Sequence, residues 1–343
     1  MGERSRPPAR VLFVRTDRLG ETLLNLPAVH VLRRAFPQAH LRFMVGASLE
    51  ELLAGFPDVN EVIAEPSATG PWWRRAWQFS CLWRPWALDV VILSNPKKEY
   101  HLAAWMAGIP VRVGYDHKWS WCLTNRVPDD KRAGGRHEVE YPLELLRALG
   151  LSVSHAPVIR LPVSHADEER VVQRFPQLAR NEEQRLIAVH PWTSNPRKRW
   201  PLARFRELID RVCADEGATV VILGGLESRP QCSALAAEAS PRVVDLVGRT
   251  SVRELAAVLR RVRVLVSNDS GPMHLAAAVG TPTVALFGTT DPAAGPARWG
   301  PWGPSHTVIS RPAMTAIGVE EVLRGVRRHL ASAGASRPIG MSG

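Results

Sequence analysis

The chain has 343 residues, of which 45% are hydrophobic and 22% charged, and its formal net charge at pH 7 is +11. This length suits two domains of ordinary size, and the composition excludes disorder over most of the chain. The basic residues are spread along both halves without a basic block or tail. We therefore expect phosphate-bearing molecules or an anionic membrane surface as partners, and no nucleic acid.

The cysteines indicate neither a zinc site nor a disulfide framework, because they lie far apart and form no C-x-x-C pair. The first apolar stretch, VLFV, is too short for the core of a signal peptide, and no later segment offers the roughly 18 uncharged apolar residues of a membrane span. We expect a cytoplasmic protein that is either soluble or in peripheral contact with a membrane.

Short apolar runs alternate with helical patterns through the first half of the chain. The runs predict strands at RVLFVR (10–15), HLRFMV (40–45), NEVIA (60–64), LDVVILS (88–94) and VRVGY (111–115), with amphipathic helical stretches at 21–35 and 98–107. This alternation is typical of a parallel sheet covered by helices.

The same pattern restarts after a polar region. It predicts strands at RLIAVHP (185–191), ATVVILG (218–224), RVVDLVG (242–248), VRVLVSN (262–268), PTVALFG (282–288) and HTVIS (306–310). The two sets predict an α/β protein with two Rossmann-like domains, a boundary near 165–184, and a ligand cleft facing the carboxyl ends of both sheets. The composition after residue 333 predicts a disordered tail.

A polar corner interrupts the stretch VSNDSGPMHLAAAVGTPTVALFG (266–288). A predicted strand delivers Asp269, Ser270 and Gly271 to its carboxyl end, and a helix follows. Free N–H groups at such a helix start favour a phosphate, Gly271 allows close approach, and Asp269 can accept hydrogen bonds from sugar hydroxyls. The alternative is that Asp269 or Ser270 simply caps the helix and His274 packs locally.

The stretch DSGPMHLAAAVGTPTVALFGTTDP (269–292) resembles the C-terminal signature of glycosyltransferase family 9, the ADP-heptose:lipopolysaccharide heptosyltransferases, and the similarity extends over nearly the whole chain. The resemblance implies the GT-B architecture, with an acceptor-binding domain at 1–170 and a nucleotide-sugar donor domain at 171–333, followed by the tail at 334–343 that the composition predicts to be disordered. It implies an inverting transfer of a heptose or related sugar from an ADP-sugar to a hydroxyl of a lipopolysaccharide core or similar glycan.

The resemblance also implies which residues hold the donor. In HPWTSNPRKRWP (190–201) the family segment that grips the diphosphate corresponds to Thr193, Ser194 and Lys198. Hydroxyl donors and an ammonium group suit a departing diphosphate. Two alternatives stay open: the run is a solvated basic face, or Arg197 or Arg199 takes the place of Lys198. The family position at the nucleotide ribose corresponds to Glu227 in LGGLESRP, and Asp269, Ser270, Gly271 and His274 complete the implied donor site.

The stretch VRTDRLGETLLNLPAVHVLRRAFP (14–37) resembles the first strand, turn and helix of the family. Most members carry Gly-Asp at the turn, and that Asp is the proposed general base, whereas this chain has Gly20-Glu21. Glutamate is chemically competent but one methylene longer. Asp17 is the rival base, and the alternative for Glu21 is a purely electrostatic contribution to the helix start. The implied mechanism is a single displacement without a metal or cofactor, in which Lys198 helps to neutralise the leaving ADP.

Eight of the twelve tryptophans lie between residues 72 and 121, several of them in PWWRRAWQFSCLWRPW (71–86). Trp beside Arg is typical of a segment at a membrane interface, but it fits equally a helix that packs its aromatic side chains into the first domain. In family terms this is the acceptor side. The candidates for contact with the acceptor or the inner membrane are Arg74, Arg75, Arg84, Lys97, Lys98 and Lys118.

Two other functions stay open. A UDP-N-acetylglucosamine 2-epimerase would share the architecture and a D-S-G corner, although such enzymes continue differently after it. A non-catalytic relative that binds a sugar nucleotide or a lipid is compatible with glutamate at position 21. Dehydrogenases and P-loop hydrolases are excluded, because the chain lacks G-x-G-x-x-G after its first strand and has no G-x-x-x-x-G-K-[ST].

Overall fold

The computed structural model describes residues 7–179, 185–237 and 240–332. The chain divides into two compact units, Met1–Ile159 and Arg160–Gly343. The second unit therefore begins ahead of residue 171, where the sequence places the donor domain. The predicted tail at 334–343 lies outside the described residues.

The first unit contains a six-stranded, fully parallel sheet in the order β3-β2-β1-β4-β5-β6. Its strands are β1 Arg10–Arg15, β2 His40–Val45, β3 Glu61–Ala64, β4 Val90–Leu93, β5 Val111–Asp116 and β6 Asn125–Pro128. Its α-helices are α1 Leu19–Leu23, α2 Leu26–Ala35, α3 Glu50–Leu53, α4 Trp72–Trp83, α5 Lys98–Met106 and α6 Tyr141–Arg147. The five predicted strands are confirmed, and β6 is an additional edge strand that the sequence reading missed.

The second unit repeats this topology, with the order β12-β11-β10-β7-β8-β9 and parallel pairing throughout. Its strands are β7 Leu186–His190, β8 Thr219–Ile222, β9 Val243–Asp245, β10 Val264–Asn268, β11 Thr283–Gly288 and β12 His306–Arg311. Its α-helices are α7 His165–Arg174, α8 Leu202–Asp215, α9 Arg229–Ala237, α10 Val252–Arg261, α11 Gly271–Val279, α12 Pro296–Trp299 and α13 Val319–Ser332. All six predicted strands are confirmed.

The strand order reverses at one position in each sheet, between β1 and β4 in the first unit and between β7 and β10 in the second. These central strands are almost fully buried, because helices cover both faces of a doubly wound parallel sheet. The chain leaves neighbouring strands towards opposite sides at a reversal, which opens a crevice at their carboxyl ends. The two reversal points are therefore where ligand-binding residues are expected.

The periodicity of the helices explains which faces pack. In α2 the buried residues Leu26, Val29 and Leu32 recur every three positions, as one face of a helix requires. In α4 the buried residues Ala76, Phe79 and Trp83 form such a face, and Phe79 and Trp83 join the core beside Tyr100.

None of the helices in the described ranges is both long enough and apolar enough to cross a membrane.

Two tryptophans of α4 provide a matched test of this packing. Trp83 is 0% exposed and Trp73 is 59% exposed. We expect Trp83→Ala to lower the free energy of unfolding by about 3–5 kcal/mol, because it removes a buried aromatic side chain and leaves a cavity. Trp73→Ala should change the same quantity by less than about 1 kcal/mol. Urea denaturation followed by circular dichroism measures both, and equal losses would contradict the described orientation of α4.

Candidate active site

The second unit has a polar corner where β10 meets α11. Ser270 occupies the N-cap position of α11 with extended backbone (φ −160°, ψ 165°), but its side chain does not cap the helix. Its hydroxyl lies 3.1 Å from Nδ1 of His190 and 3.1 Å from Oγ of Ser267. Simple capping by Ser270 therefore does not describe the corner. The first turn of α11 has no side-chain cap and retains its affinity for an anion.

An ion pair joins this corner to the loop after β7. The Lys198 ammonium donates to the Asp269 carboxylate at 2.5 Å, and the Asp269 side chain is only 8% exposed. Burial raises the pKa of Asp269, although the adjacent Lys198 opposes that rise. The Lys198 side chain is 31% exposed, so its ammonium is held in place and still accessible.

The neighbours of Lys198 point elsewhere. The Arg199 guanidinium lies 3.5 Å from the ring centroid of Trp192 and donates to the carbonyl of Thr193 at 2.8 Å. Arg197 is exposed. The turn Pro196–Lys198, which Asn195 caps by accepting from the Arg197 amide at 3.1 Å, brings only the lysine of the RKR run to Asp269.

Asn268, the last residue of β10, fixes both ends of this loop. Its side-chain amide donates to the carbonyl of Pro191 at 2.9 Å, and its side-chain oxygen accepts from the Trp200 amide at 3.0 Å. Trp200 is fully buried, and its indole donates to the carbonyl of Ile317 at 3.0 Å. The loop that carries Lys198 is thus anchored to the sheet and to the core.

The remaining predicted donor residues differ in exposure. Thr193 and Ser194 both lie in the loop after β7, where Thr193 is buried and Ser194 is exposed. His274 is 5% exposed in the first turns of α11. Glu227 is exposed after β8, and its carboxylate folds back over Gly225, where any larger side chain would collide with it. The structure thus brings Lys198 and Asp269 into contact but shows no contact of Glu227 with them.

His190 is a corner residue to which the sequence reading gave no role. It ends β7, it is buried, and burial lowers its pKa to about 4. The ring is therefore neutral near pH 7, and one nitrogen faces the Ser270 hydroxyl. Its position at the end of a strand beside the reversal point is the signal that could have identified it.

In the first unit, Glu21 lies in the first turn of α1, half-buried. Its carboxylate has no ion-pair or hydrogen-bond partner among the described residues. Its backbone is fixed, because Asn25 donates to the Glu21 carbonyl at 2.7 Å and accepts from the Ser94 hydroxyl at 2.6 Å. Ser94 follows β4, so this bridge ties α1 to the reversal point of the first sheet.

The rival carboxylate, that of Asp17, is already engaged. It lies 3.2 Å from the guanidinium of Arg15, which is 5% exposed. Arg15 also donates to the carbonyl of Ser94 at 2.9 Å and lies 3.9 Å from the buried Glu138 carboxylate. Protonation of Asp17 would take away part of the countercharge of a buried arginine, whereas Glu21 has no such task.

A second polar cluster at the same edge was not predicted, apart from Lys97. The Lys97 ammonium donates to Thr16 Oγ1 at 2.9 Å and lies 3.4 Å from the Glu65 carboxylate. The Tyr100 hydroxyl donates to Glu65 and lies 2.8 Å from Thr16 Oγ1. Burial and the Glu65 hydrogen bond raise the pKa of Tyr100 far above its ordinary value. Asn95 adds a hydrogen bond from the Thr16 amide at 2.8 Å.

The tryptophan-rich segment divides between core and surface. Trp83 packs in the core, whereas Trp73, Trp77, Trp105 and Trp121 are each at least 50% exposed. Neighbouring rings link Trp72 to Trp119 (centroids 4.7 Å apart), Trp119 to Trp121 (5.5 Å) and Trp121 to Trp105 (5.7 Å). We call these six surface and linking residues, Trp72, Trp73, Trp77, Trp105, Trp119 and Trp121, the tryptophan patch.

The predicted basic residues of this region divide in the same way. The Lys98 ammonium lies 4.4 Å from the ring centroid of Trp72, and Arg74 and Lys118 are exposed. Arg75 instead pairs with Glu99 at 2.8 Å, and Arg84 donates to the carbonyl of Met106 at 2.9 Å. Lys98, Arg74 and Lys118 therefore carry charge at or near the tryptophan patch. Arg75 and Arg84 instead make contacts with other residues of the first unit.

The described ranges contain no group of three or more His, Cys, Asp or Glu residues placed to hold a metal ion. The observed polar groups are an ammonium, hydroxyls, a helix start and carboxylates. Such groups can bind a diphosphate and move a proton.

A family model described as "Glycosyltransferase family 9 (heptosyltransferase)" matches residues 86–322. Lipopolysaccharide heptosyltransferase 1 of Pseudomonas aeruginosa is 30% identical over 307 residues, which cover 82% of this chain and 79% of that protein. Lipopolysaccharide heptosyltransferase 2 of Escherichia coli K12 is 27% identical over 304 residues, which cover 82% and 84%.

Among solved structures, the E. coli ADP-heptose lps heptosyltransferase II aligns with a TM-score of 0.80 at 24% identity, covering 95% of this chain and 100% of that chain. This likeness confirms the predicted α/β fold class of the GT-B heptosyltransferases. Because the family model spans more than half of the chain and a curated relative reaches 30% identity over most of it, the chain belongs to glycosyltransferase family 9 (heptosyltransferase).

Proposed function

We propose that this glycosyltransferase transfers a heptose or closely related sugar from an ADP-sugar to a hydroxyl of a lipopolysaccharide core or similar glycan, with inversion. The names of its relatives, which include an ADP-heptose lps heptosyltransferase, support this substrate class. The observation that carries the proposal is the Lys198–Asp269 pair beside the uncapped start of α11. A nucleotide diphosphate is the ligand that these groups fit.

The donor is bound by charge and by hydrogen bonds from the corner. Lys198 is held by Asp269 within reach of solvent and meets the diphosphate. The Thr193 and Ser194 hydroxyls and the N–H groups at the start of α11 share the phosphate oxygens. Gly271 lets the phosphates approach the backbone, and Ser270 and His274 line the start of the helix. Glu227 accepts hydrogen bonds from the ribose hydroxyls.

Glu21 acts as the general base. It takes the proton of the acceptor hydroxyl, and that oxygen bonds to the anomeric carbon as the bond to the ADP oxygen breaks. The transition state resembles an oxocarbenium ion, and the electron pair leaves with ADP. Lys198 and the α11 start stabilise the developing charge on the diphosphate, so no metal or further cofactor is required. The absence of a partner for Glu21 among the described residues supports this role.

The direct test incubates the protein with ADP-heptose and a truncated lipopolysaccharide core and follows ADP release. We expect release that depends on the acceptor and persists with EDTA. We expect Glu21→Gln to lower kcat by about 10²–10⁴-fold, because the general base is lost. The KM for ADP-heptose should change little.

Asp17→Asn is the control, with ADP binding as evidence that both variants fold. If Asp17→Asn abolished turnover and Glu21→Gln did not, Asp17 would be the base. Donor binding without ADP release in the wild-type protein would favour the binding relative. Formation of the epimerised sugar nucleotide without an acceptor would favour the 2-epimerase.

The role of Lys198 has its own test. We expect Lys198→Gln to weaken ADP binding by roughly 10–100-fold, the cost of losing a charged hydrogen bond to phosphate. AMP binding should fall much less if the ammonium meets the terminal phosphate. Arg197→Gln, in the same turn, is the matched control and should leave both affinities unchanged. Isothermal titration calorimetry measures them, and equal losses for the two variants would contradict the assignment.

We further propose a cytoplasmic location with peripheral contact at the inner membrane through the tryptophan patch. Exposed indole rings suit the headgroup region, and Arg74, Lys98 and Lys118 attract anionic lipid. Lys97, in the polar cluster of the first unit, is a candidate for contact with the acceptor. Arg75 is ion-paired with Glu99, and we assign it a structural role in this region.

Vesicle co-sedimentation tests the membrane proposal. On vesicles that contain phosphatidylglycerol, Arg74→Gln/Lys118→Gln should weaken binding by about 2 kcal/mol, or roughly 30-fold, because each basic residue contributes about 1 kcal/mol near an anionic surface. Arg10→Gln/Arg34→Gln removes the same charge from exposed positions outside the patch and should have a smaller effect. Equal losses for the two pairs would show that only the net charge matters.

A further inference from the structure

A polar cavity lies in the second unit, at the sheet edge opposite the corner. Its volume is about 540 Å³, and it opens to solvent. Its lining includes the residues that immediately precede three strands, namely Arg263 before β10, Pro282 before β11 and Ser305 before β12. The strands are parallel, so this is the amino edge of the sheet, whereas Asp269 lies at its carboxyl edge. The cavity is therefore separate from the donor corner and has no part in the proposed reaction.

The charge of the lining is of one sign. Arg260, Arg263, Arg328, His306 and His329 line the cavity, and within the described ranges no aspartate or glutamate does. The volume is that of a small-molecule site. Several cations around one concave space repel one another, and a bound anion would reduce this repulsion.

Part of this charge serves the ends of helices. α10, α11 and α13 all end at this edge, where their last carbonyls carry partial negative charge. Arg160 donates to the carbonyl of Ala277 at 2.9 Å, and Arg260 donates to that of Val279 at 3.4 Å and lies 3.7 Å from Glu168. These two arginines therefore have a structural role.

Arg263 and Arg328 have no such role. The guanidinium groups of both have no carboxylate or carbonyl partner within the part of the chain that the structure describes, yet both line the cavity. Arg263 leads into the buried strand β10, and Arg328 lies in the last turns of α13. Two guanidinium groups from different elements thus border one space, with Arg263 half-buried and Arg328 exposed.

The two histidines add neutral hydrogen-bonding groups. Burial lowers the pKa of His306 to about 4, with Arg160 and His329 adding to the effect. Burial and Arg328 also lower the pKa of His329, whose Nε2 lies 3.0 Å from the Thr307 hydroxyl. An anion in the cavity would oppose these effects and favour protonation of both rings.

We propose that this cavity is a binding site for a small soluble compound that carries a phosphate or diphosphate group, separate from the nucleotide-sugar donor. Guanidinium groups bind phosphate oxygens in pairs of hydrogen bonds, and Arg263 and Arg328 supply two such groups from different elements of the lining. His306 and His329 contribute further donors. The cavity has room for a molecule of about the size of a sugar phosphate.

The test uses the full chain with Lys198→Gln, which removes the main cation of the corner, and inorganic pyrophosphate as the probe. Isothermal titration calorimetry at fixed ionic strength should show one bound pyrophosphate. Adding Arg263→Gln and Arg328→Gln should weaken that binding by roughly 100-fold or more, as two charged hydrogen-bonding groups are lost.

Arg324→Gln is the matched control for Arg328→Gln. Arg324 is exposed one turn earlier on α13 and does not line the cavity. We expect Arg328→Gln alone to weaken binding by roughly 10-fold and Arg324→Gln to leave it unchanged. Equal losses for these two variants, or no binding in the Lys198→Gln protein, would overturn the proposal. All of these experiments measure pyrophosphate binding and none measures sugar transfer. Failure of the proposed transfer reaction would therefore not change their outcome.

Sulfate provides the pH test, because it keeps its charge from pH 7 down to about pH 4, the pKa of His306, and any change must come from the protein. Binding favours protonated His306 and His329, so the affinity for sulfate should rise as the pH falls. The positive groups that face these rings, Arg160, Arg260, Arg263 and Arg328, do not titrate in this range. His306→Asn should flatten the profile, and an unchanged profile in that variant would remove His306 from the site.

Discussion

The ion pair between Lys198 and Asp269 is the interaction on which the corner depends. Asp269 is buried, and its carboxylate would be costly without a cation beside it. Lys198 supplies that cation from the loop after β7, while Asn268 fixes both ends of the loop. The same contact thus neutralises a buried charge and places an ammonium group beside the start of α11. A lysine on an unanchored loop would lose more conformational entropy on binding a diphosphate.

The first unit resolves its buried charge differently. Arg15 is its buried cation, and its charge is balanced by Asp17 and the nearby Glu138 while one guanidinium nitrogen donates to a backbone carbonyl. This network uses the rival carboxylate and leaves that of Glu21 without a partner among the described residues. The two units share a topology and reverse strand order at equivalent places, but one presents a held cation and the other an unpaired carboxylate. The reaction that we propose assigns the carboxylate to proton transfer and the cation to the departing diphosphate.

The amino-acid sequence predicted the features that depend on neighbouring residues. Buried parallel strands form continuous apolar runs, so eleven of the strands were recognisable, whereas β6, the short edge strand NRVP, buries only one of its four residues and contains a proline. The DSG corner was recognisable because a strand, a glycine and a helix follow directly. The Glu65–Tyr100–Thr16 cluster was not, since its members are up to 84 residues apart. The sequence of the RKR run also did not show which of its three cations contacts Asp269. The geometry of the turn Pro196–Lys198 determines that it is Lys198.

The resemblance to the family leads us to expect aspartate at position 21, and the contacts of Asn25 bear on the glutamate found there. That buried amide holds the Glu21 carbonyl and is itself held by Ser94 beyond β4. The backbone at position 21 therefore cannot shift to compensate for a longer side chain. The extra methylene moves the carboxylate outward by about the length of one carbon–carbon bond, and a displacement of about 1 Å is enough to alter a catalytic rate substantially. If Glu21 is the base that we propose, the acceptor hydroxyl must accordingly lie farther from the α1 backbone than an aspartate at this position would require. The change then concerns the shape of the acceptor site, because the two carboxylates have nearly the same ordinary pKa.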